Sequence, residues 1–372
     1  GGGGGGGGGG GSGSAGGEPR VSNLRDLLHS EKAFNVKFAG EAGSDAGGLY
    51  RETLDSMVTE LHSKALATPL LVLTPNNMQT SEDVYDRGRY MLNPAPPSAE
   101  TLWQLHVLGA LIGVCLRTTN TLPFELAITV WQGLLGETPT LQDYELVDKA
   151  QADFIRRVRD NNDPNCPNME EDVYNAVYGE LVDFTLARSD HEAKVELVPA
   201  GSSRELTYAT RLEWAALAEG YLLHECDAHL AAMRQGLAQI VPLESLYLLT
   251  AAELERMVVG DSDWSVADLR RGAEIRGRHE SIDHLWEVLG ELTAEEKALF
   301  CRFAWGRSRM PERCVGVKFI VESVPLRAGG AAPLPVSHTC FFQLDLPRYT
   351  SKEQLKEKLL TAIYYCKDFD LV

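Results

Sequence analysis

Leu334-Pro335-Val336-Ser337-His338-Thr339-Cys340-Phe341-Phe342-Gln343-Leu344-Asp345-Leu346-Pro347-Arg348-Tyr349 holds more of this chain's chemistry than any other stretch. One cysteine, Cys340, stands at a loop-to-strand junction, with the imidazole of His338 and the hydroxyl of Thr339 just before it. Cys340, Phe342, Leu344 and Leu346 alternate, which predicts a short strand that begins at the cysteine and buries that face. Pro335 and Pro347 hold the two ends of the segment by fixing φ. A thiol presented at the mouth of a stiff loop suits a nucleophile that forms thioesters.

Working outward, Thr350-x-x-Glu353 reads as a capping box for a last helix, with Leu355, Leu359, Ile363 and Cys366 along one face. Upstream, Arg327–Pro333 is a loop of small residues and Val315–Val324 a strand. Ser281–Leu289 and Ala294–Trp305 are helical, the second opened by the box Thr293-x-x-Glu296. Ala251–Val259 is a helix that stops at Gly260, and Asp261-Ser262-Asp263 after it is a plausible hinge. Everything after that hinge forms a compact α+β unit of about 110 residues.

The larger part of the chain reads as mainly helical. Ala33–Phe38 looks like a strand, Gly40–Gly48 a glycine-rich turn, and Leu49–His62 a helix. Asp83–Pro97 is rich in turns, and Ser98 is a plausible N-cap without a strict capping box. The following helix is apolar most of the way round, so it belongs in a core. Its most apolar part, Leu102–Leu116, is 15 residues long and contains Gln104 and His106, too short to span a bilayer. Pro123–Leu135, Leu141–Val158 and a long Leu212–Met233 are further helices, and Asn161–Pro167 is a loop. Val182–Leu186, Ala193–Val198 and Arg204–Thr207 suggest a small sheet, turning at Gly201-Ser202-Ser203.

Composition narrows the function. The formal charge is -18, with Asp+Glu 53 against Lys+Arg 35, which disfavours nucleic acid and anionic membrane surfaces as partners. The seven cysteines are scattered, odd in number and lack any C-x-x-C pair, so a reducing compartment with free thiols is expected. A cytoplasmic location is expected, with the nucleus as a further compartment. The chain begins with Gly1 rather than Met, and Gly1–Gly17 is nearly pure glycine and serine. Residues 1–20 therefore read as a disordered tether, and the remainder as the C-terminal part of something larger.

Other motifs fall short. Gly40–Gly48 lacks the ending of a phosphate loop. His224, Cys226, Asp227 and His229 do not share one helical face, and Asp261-x-Asp263 lacks the glycine and glutamate of a calcium loop. No metal and no cofactor are expected. A cysteine hydrolase would need an activating His–Asn or His–Asp pair, and nothing in the sequence puts one beside Cys340.

Four segments in order resemble the HECT domain of ubiquitin-protein ligases, over nearly everything from Val21 to Val372. They are Asn35–Glu52, then Leu108–Gly113 with Leu134–Gly136, then Glu253–Gly260, and finally Leu334–Phe342 with Leu346–Tyr349. The resemblance implies a bilobal fold, with an N-lobe at 21–259, an E2-binding subdomain at about 150–235, a hinge at Gly260, Asp261, Ser262 and Asp263, and a catalytic C-lobe at 264–372. It implies that Cys340 takes ubiquitin from a charged E2 enzyme and passes it to a lysine of a protein substrate. His338 and Thr339 are the local donors for the thioester carbonyl or the oxyanion. Phe369, fourth from the end, matches a phenylalanine needed for transfer to lysine, which suggests the native C-terminus. Asp368 and Asp370 beside it are candidates for orienting the incoming ammonium.

Departures from the family pattern are visible. Phe342 stands where asparagine is common, and the turn Ala304-Trp305-Gly306-Arg307-Ser308-Arg309 differs from the usual Thr-Gly-x-Ser-Arg. Together they resemble the large HERC class. In the helix that resembles part of the E2 groove, Trp214 and Leu217 are candidate E2 contacts, and Ala218 stands where other members can have tyrosine. Loss of such an aromatic hot spot costs ~2 kcal/mol. A catalytically weak module that binds E2 or ubiquitin as a scaffold is the alternative reading.

Overall fold

The structure, a computed structural model, describes residues 48–61, 69–80, 88–118, 120–261, 264–307, 309–310, 314, 318–325 and 332–368. The expected tether, the Ala33–Phe38 strand, most of the Gly40–Gly48 turn, Ser262, Asp263, Phe369 and Asp370 lie outside the described residues, as does most of the Arg327–Pro333 loop.

Before Gly260 the elements run α1 (Gly48–Leu61), β1 (Leu71–Leu73), β2 (Tyr90–Leu92), α2 (Ala99–Thr118), α3 (Ile128–Leu135), α4 (Leu141–Tyr144) and α5 (Lys149–Asp160). They continue with β3 (Asn162–Asp163), β4 (Cys166–Pro167), α6 (Glu171–Tyr178), β5 (Thr185–Ala187), β6 (Lys194–Glu196), α7 (Arg211–His224), α8 (Asp227–Ile240) and α9 (Ala251–Val259). Helix α2 is 20 residues, longer than its apolar pattern suggested, and by length and composition alone it passes as a membrane span. Its packing is that of a core helix. Ser98 caps it, with Oγ accepting from Thr101 N at 3.1 Å, and Leu105, Leu108, Ile112 and Cys115 are buried against α8. The two helices touch backbone to backbone: a Cβ on Gly109 would sit 1.9 Å from Met233 O, and one on Gly236 1.8 Å from His106 O. Only glycine allows that approach.

A second, smaller core gathers α4 to α7 around Tyr174, Phe184 and Trp214. It explains why the expected Leu212–Met233 helix is two helices. The buried residues of α7 (Trp214, Ala215, Ala218, Leu222) belong to the small core, and those of α8 (Ala232, Met233, Leu237) to the first. One straight helix does not serve both, and the chain breaks at Glu225-Cys226. Several other boundaries also differ. Helix α3 starts at Ile128, not Pro123. The Leu141–Val158 helix is interrupted, restarting where Asp148 accepts from Gln151 N at 3.0 Å. Asn161–Pro167 carries the small β3–β4 ladder. The expected sheet is the β5–β6 pair with one further bridge, Asp183 to Glu205.

After Gly260 come α10 (Val266–Arg271), β7 (Glu274–Arg276), α11 (Glu280–Glu291), α12 (Ala294–Trp305), β8 (Ile320–Val324), β9 (Val336–His338), β10 (Gln343–Pro347) and α13 (Lys352–Asp368). They share a third core, all of whose buried members lie between Trp264 and Ile363. Its sheet has the order β7-β8-β10-β9, with β10 parallel to β8 and antiparallel to β9. Val321, Leu344 and Leu346 point into this core, with α11 and α12 against the sheet, and α13 packs on those helices. Thr293 and Glu296 form the expected box at α12. The cap of α13 is Ser351, whose Oγ accepts from Gln354 N at 3.2 Å, not Thr350 with Glu353. Gln354 instead reaches back to Thr350 N at 3.1 Å, one residue out of the predicted register.

Candidate active site

Strands β9 and β10 pair in the register Gln343–His338, Leu344–Ser337 and Asp345–Val336. Between them Thr339-Cys340-Phe341 makes one 3-10 turn, closed by Phe342 N donating to Thr339 O at 3.3 Å. The strand therefore begins at Gln343, not at Cys340, and the cysteine sits on the turn of a hairpin. Phe342 lies in the left-handed region, φ 46 and ψ 53, and this reversal joins the turn to the strand. It still points inward like Leu344 and Leu346, so the apparent alternation runs on through the turn. Strand β9 is three residues long and gave no periodic signal of its own.

An aromatic platform supports the turn. Phe342 stacks on Trp305 with centroids 5.0 Å apart and lies 4.6 Å from Phe319. Phe319 in turn meets Phe300 and Trp286 edge-on. Gly306, at φ 72, ends α12, and a Cβ on it would lie 3.8 Å from Thr339 Cβ. The Arg307 guanidinium covers the other aromatic, 4.5 Å from the Trp305 ring centroid, and donates to Asn120 Oδ1 in the first half of the chain. Arg309 pairs with Glu125 beside it. Tyr349 closes the base of the hairpin, its hydroxyl donating to Pro333 O at 2.6 Å.

The outer face of the sheet is polar. His338 Nε2 lies 3.0 Å from Asp345 Oδ2. Gln343 donates its amide to Asp345 Oδ1 at 2.8 Å and to Glu322 Oε2 at 3.3 Å. Beside the turn, Phe341 is 62% and Val336 55% exposed, an apolar rim open to solvent.

Four other cysteines are poor nucleophiles, because a thiol must ionise to attack. Burial pushes the Cys115 thiol up to about 12 and Cys314 to about 11, and drives Cys226 and Cys301 higher still. Nor do the residues around Cys226 converge. His224 pairs with Asp227 at 3.0 Å, while buried His229 reaches Ala95 O at 3.1 Å.

With this geometry, the sequence model of the HECT-domain (ubiquitin-transferase) family matches residues 60–372. The chain belongs to the HECT family. It is 34% identical over 350 residues to the E3 ubiquitin-protein ligase HERC2 of Homo sapiens, covering 92% of this chain and 7% of that protein. It is 27% identical over 354 residues to the probable E3 ubiquitin-protein ligase HERC4 of Homo sapiens, covering 92% of this chain and 31% of that protein. The E3 ubiquitin-protein ligase UPL1 of Arabidopsis thaliana is 28% identical over 370 residues, 93% of this chain and 9% of its own length. The chain thus spans a small part of these relatives. Three of the four segments that carried the resemblance lie inside the matched residues, and Asn35–Glu52 lies before them.

The HECT residues anticipated from sequence are scattered over four places. His338, Thr339 and Cys340 share the hairpin turn, and Asp368 ends α13. Gly260, at φ 79, ends α9, where a Cβ would come within 2.5 Å of Met310 O. Asp261 then forms a two-bond bridge with Met310, N to O at 2.6 Å and O to N at 3.0 Å. Trp214 and Ala218 are not surface residues. Trp214 is 1% exposed, edge-on to Phe154, with Nε1 donating to Asp183 O at 2.8 Å, and Ala218 is fully buried. Both hold the small core together, because the face of α7 they occupy is its inner one. Leu217 is half-buried. The exposed apolar side chains of this region are Val173 and Val177 on α6, Leu181 just after it, and Leu212 on the first turn of α7. Helix α6 was missed in the sequence because its eight residues give only about two turns of periodicity. The pairing of Asp345, the stacking of Trp305 on Phe342 and the Arg307–Asn120 contact were also missed.

Proposed function

We propose that this chain is the catalytic part of an E3 ubiquitin-protein ligase, and that it works through a ubiquitin thioester on Cys340. The observation that carries the reading is the position of Cys340 on a hairpin turn seated on the Phe342–Trp305–Phe319 platform, in a HECT chain. In the first step the Cys340 thiolate attacks the carbonyl carbon of the E2–ubiquitin thioester, and the E2 cysteine leaves as a thiolate. In the second a substrate lysine amine attacks the new thioester, an isopeptide bond forms, and Cys340 leaves as a thiolate. Thioesters are close in energy to one another, so the first step depends on positioning more than on driving force. Thr339 supplies a hydroxyl donor beside the reacting carbonyl, His338 precedes it on the same turn, and Phe341 and Val336 offer an apolar rim for ubiquitin.

Residues 21–259 are proposed as the N-lobe and 264–372 as the C-lobe, with the hinge at 260–263. The separation of buried residues at Val259 and Trp264 supports this division. For the E2 enzyme we propose the subdomain at about 150–235. Its exposed Val173, Val177, Leu181 and Leu212 are better contact candidates than buried Trp214 and Ala218. The scaffold alternative leaned on Ala218, and burial of that residue removes the reason to expect a thinned docking surface. Phe369, Asp368 and Asp370 are proposed to act in lysine transfer.

A single-turnover assay tests the reading. The chain is mixed with a panel of E2 enzymes carrying labelled ubiquitin and resolved with and without reductant. A reductant-sensitive adduct that Cys340→Ala abolishes is expected. A folded sample that forms no adduct with any well-charged E2 would overturn it.

A further inference from the structure

We infer that Asp345 is a positioning residue for His338, and that the pair serves the second half-reaction, in which a lysine attacks the Cys340 thioester. This rests on the ubiquitin-transfer reading of Cys340 above. The cross-strand partner of His338 is Gln343, and Asp345 is the diagonal neighbour two residues on. A diagonal pair on one sheet face is within reach of side chains as long as these, and the imidazole spans it with Nε2 3.0 Å from Asp345 Oδ2. The carboxylate is itself held. Gln343 gives one amide N–H to Asp345 Oδ1 at 2.8 Å and the other towards Glu322 Oε2 at 3.3 Å. Glu322 is the register partner of Asp345 on β8, so two carboxylates stand side by side and the amide separates them. The arrangement sits on β9 and β10, the two strands that the Cys340 turn connects.

A neutral imidazole donates through one nitrogen and accepts through the other, and the donated hydrogen bond selects which. Asp345 accepts, so Nε2 carries the hydrogen and Nδ1 is left as the base. The two half-reactions differ in their need for one. A thiol with a pKa near ~8.5 supplies some thiolate at neutral pH. A lysine with a pKa near ~10.4 is almost wholly an ammonium and must shed a proton to attack. In the transfer step the lysine ammonium gives one proton to His338 Nδ1, the neutral amine nitrogen then bonds to the thioester carbonyl carbon, and its second departing proton passes to solvent. The C–S bond breaks with its electron pair on Cys340 sulfur, and the imidazolium then returns the proton to solvent. No oxidant or further reactant is required.

Asp345→Asn keeps the size of the side chain and removes the charged acceptor. The test separates loading from discharge. Wild type and variant are charged from an E2, the E2 reaction is quenched, and the adduct is chased with free lysine or with hydroxylamine, an amine that is already neutral at neutral pH. Discharge to lysine is expected to fall about tenfold or more, from the usual worth of a general base, while loading and discharge to hydroxylamine change less than about twofold. His338→Gln should slow discharge to lysine by a similar factor, and the double variant should be no worse than the worse single one, because the two residues act as one unit. Equal slowing of both amines, or none of either, would overturn the assignment and leave Asp345 a strand residue only. A wild-type chain that never forms the adduct would overturn the transfer reading, and the role of Asp345 with it.

Discussion

Phe342 is the residue whose replacement most sharply tests the description of the active-site turn. It is 3% exposed and packs between Trp305 and Phe319, yet its φ of 46 lies in the left-handed region. Two costs oppose each other there. Removing a buried phenylalanine side chain destabilises by about 3–5 kcal/mol. Holding a residue with a Cβ in the left-handed conformation costs about 1–2 kcal/mol, which glycine avoids. Elsewhere in regular structure glycine is worse than alanine by about 0.5–1 kcal/mol because it loses more backbone freedom. At this position the order should invert: Phe342→Gly and Phe342→Ala both lose the platform, but the glycine variant should keep about 0.5–1 kcal/mol more stability, the relief less the extra entropy. Phe342→Asn should fall near the glycine variant, since asparagine tolerates this conformation. Urea unfolding followed by circular dichroism and tryptophan fluorescence reads all three. An alanine variant as stable as the glycine variant, or any of them within about 1 kcal/mol of wild type, would refute the reasoning.

Four further outcomes are expected. Trp214→Ala should destabilise by about 3–5 kcal/mol, because it empties the small core and strands the Asp183 carbonyl. Leu181→Asp, at an 82% exposed position, should change stability by less than about 0.5 kcal/mol yet weaken E2 binding in a titration of charged E2; an unaltered affinity would remove Leu181 from the docking surface. Burial raises the Glu225 carboxyl from its ordinary 4.5 to about 7, with the Asp190 charge adding to the effect. The folded state therefore binds an extra proton between those values, and stability should fall as pH rises from ~5 to ~7, by about 3 kcal/mol. Glu225→Gln should flatten that loss in urea midpoints measured across the range, and parallel profiles for the two proteins would contradict it. Replacing both Asp368 and Asp370 with asparagine should slow transfer to lysine more than loading from E2, whereas matched rates in pulse-chase would remove the acidic tail from the mechanism.

What the sequence made legible were features written in short range. The Thr293–Glu296 box, the bounds of Ala251–Val259 and Ala294–Trp305, and the stop at Gly260 all follow from residues within one helical turn of one another. What it concealed depends on packing between distant parts. The nearest glycine to Glu225-Cys226, Gly220, lies more than one helical turn before it and inside α7, so the break between α7 and α8 is visible only once each half is assigned to a different core. The turn at Cys340 was hidden because Phe342 keeps the inward phase of the strand while its backbone reverses. His338 and Asp345 are seven positions apart, and only the hairpin register makes them neighbours. Arg307 and Asn120 are 187 residues apart, beyond any local pattern. Trp214 was expected as an E2 contact and is buried in the small core, since a helix apolar on much of its circumference does not announce which face is inward.

The central claim is that Cys340, among seven cysteines, is the atom that carries ubiquitin. Cys340→Ser tests it directly, because serine in the same place gives an oxyester rather than a thioester. After incubation with charged E2, the account predicts a ubiquitin adduct on the variant that survives reductant and is cleaved by alkali, where the wild-type adduct is lost to reductant. An adduct on Cys340→Ser that remains fully sensitive to reductant would show that another cysteine is the acceptor and would contradict the account.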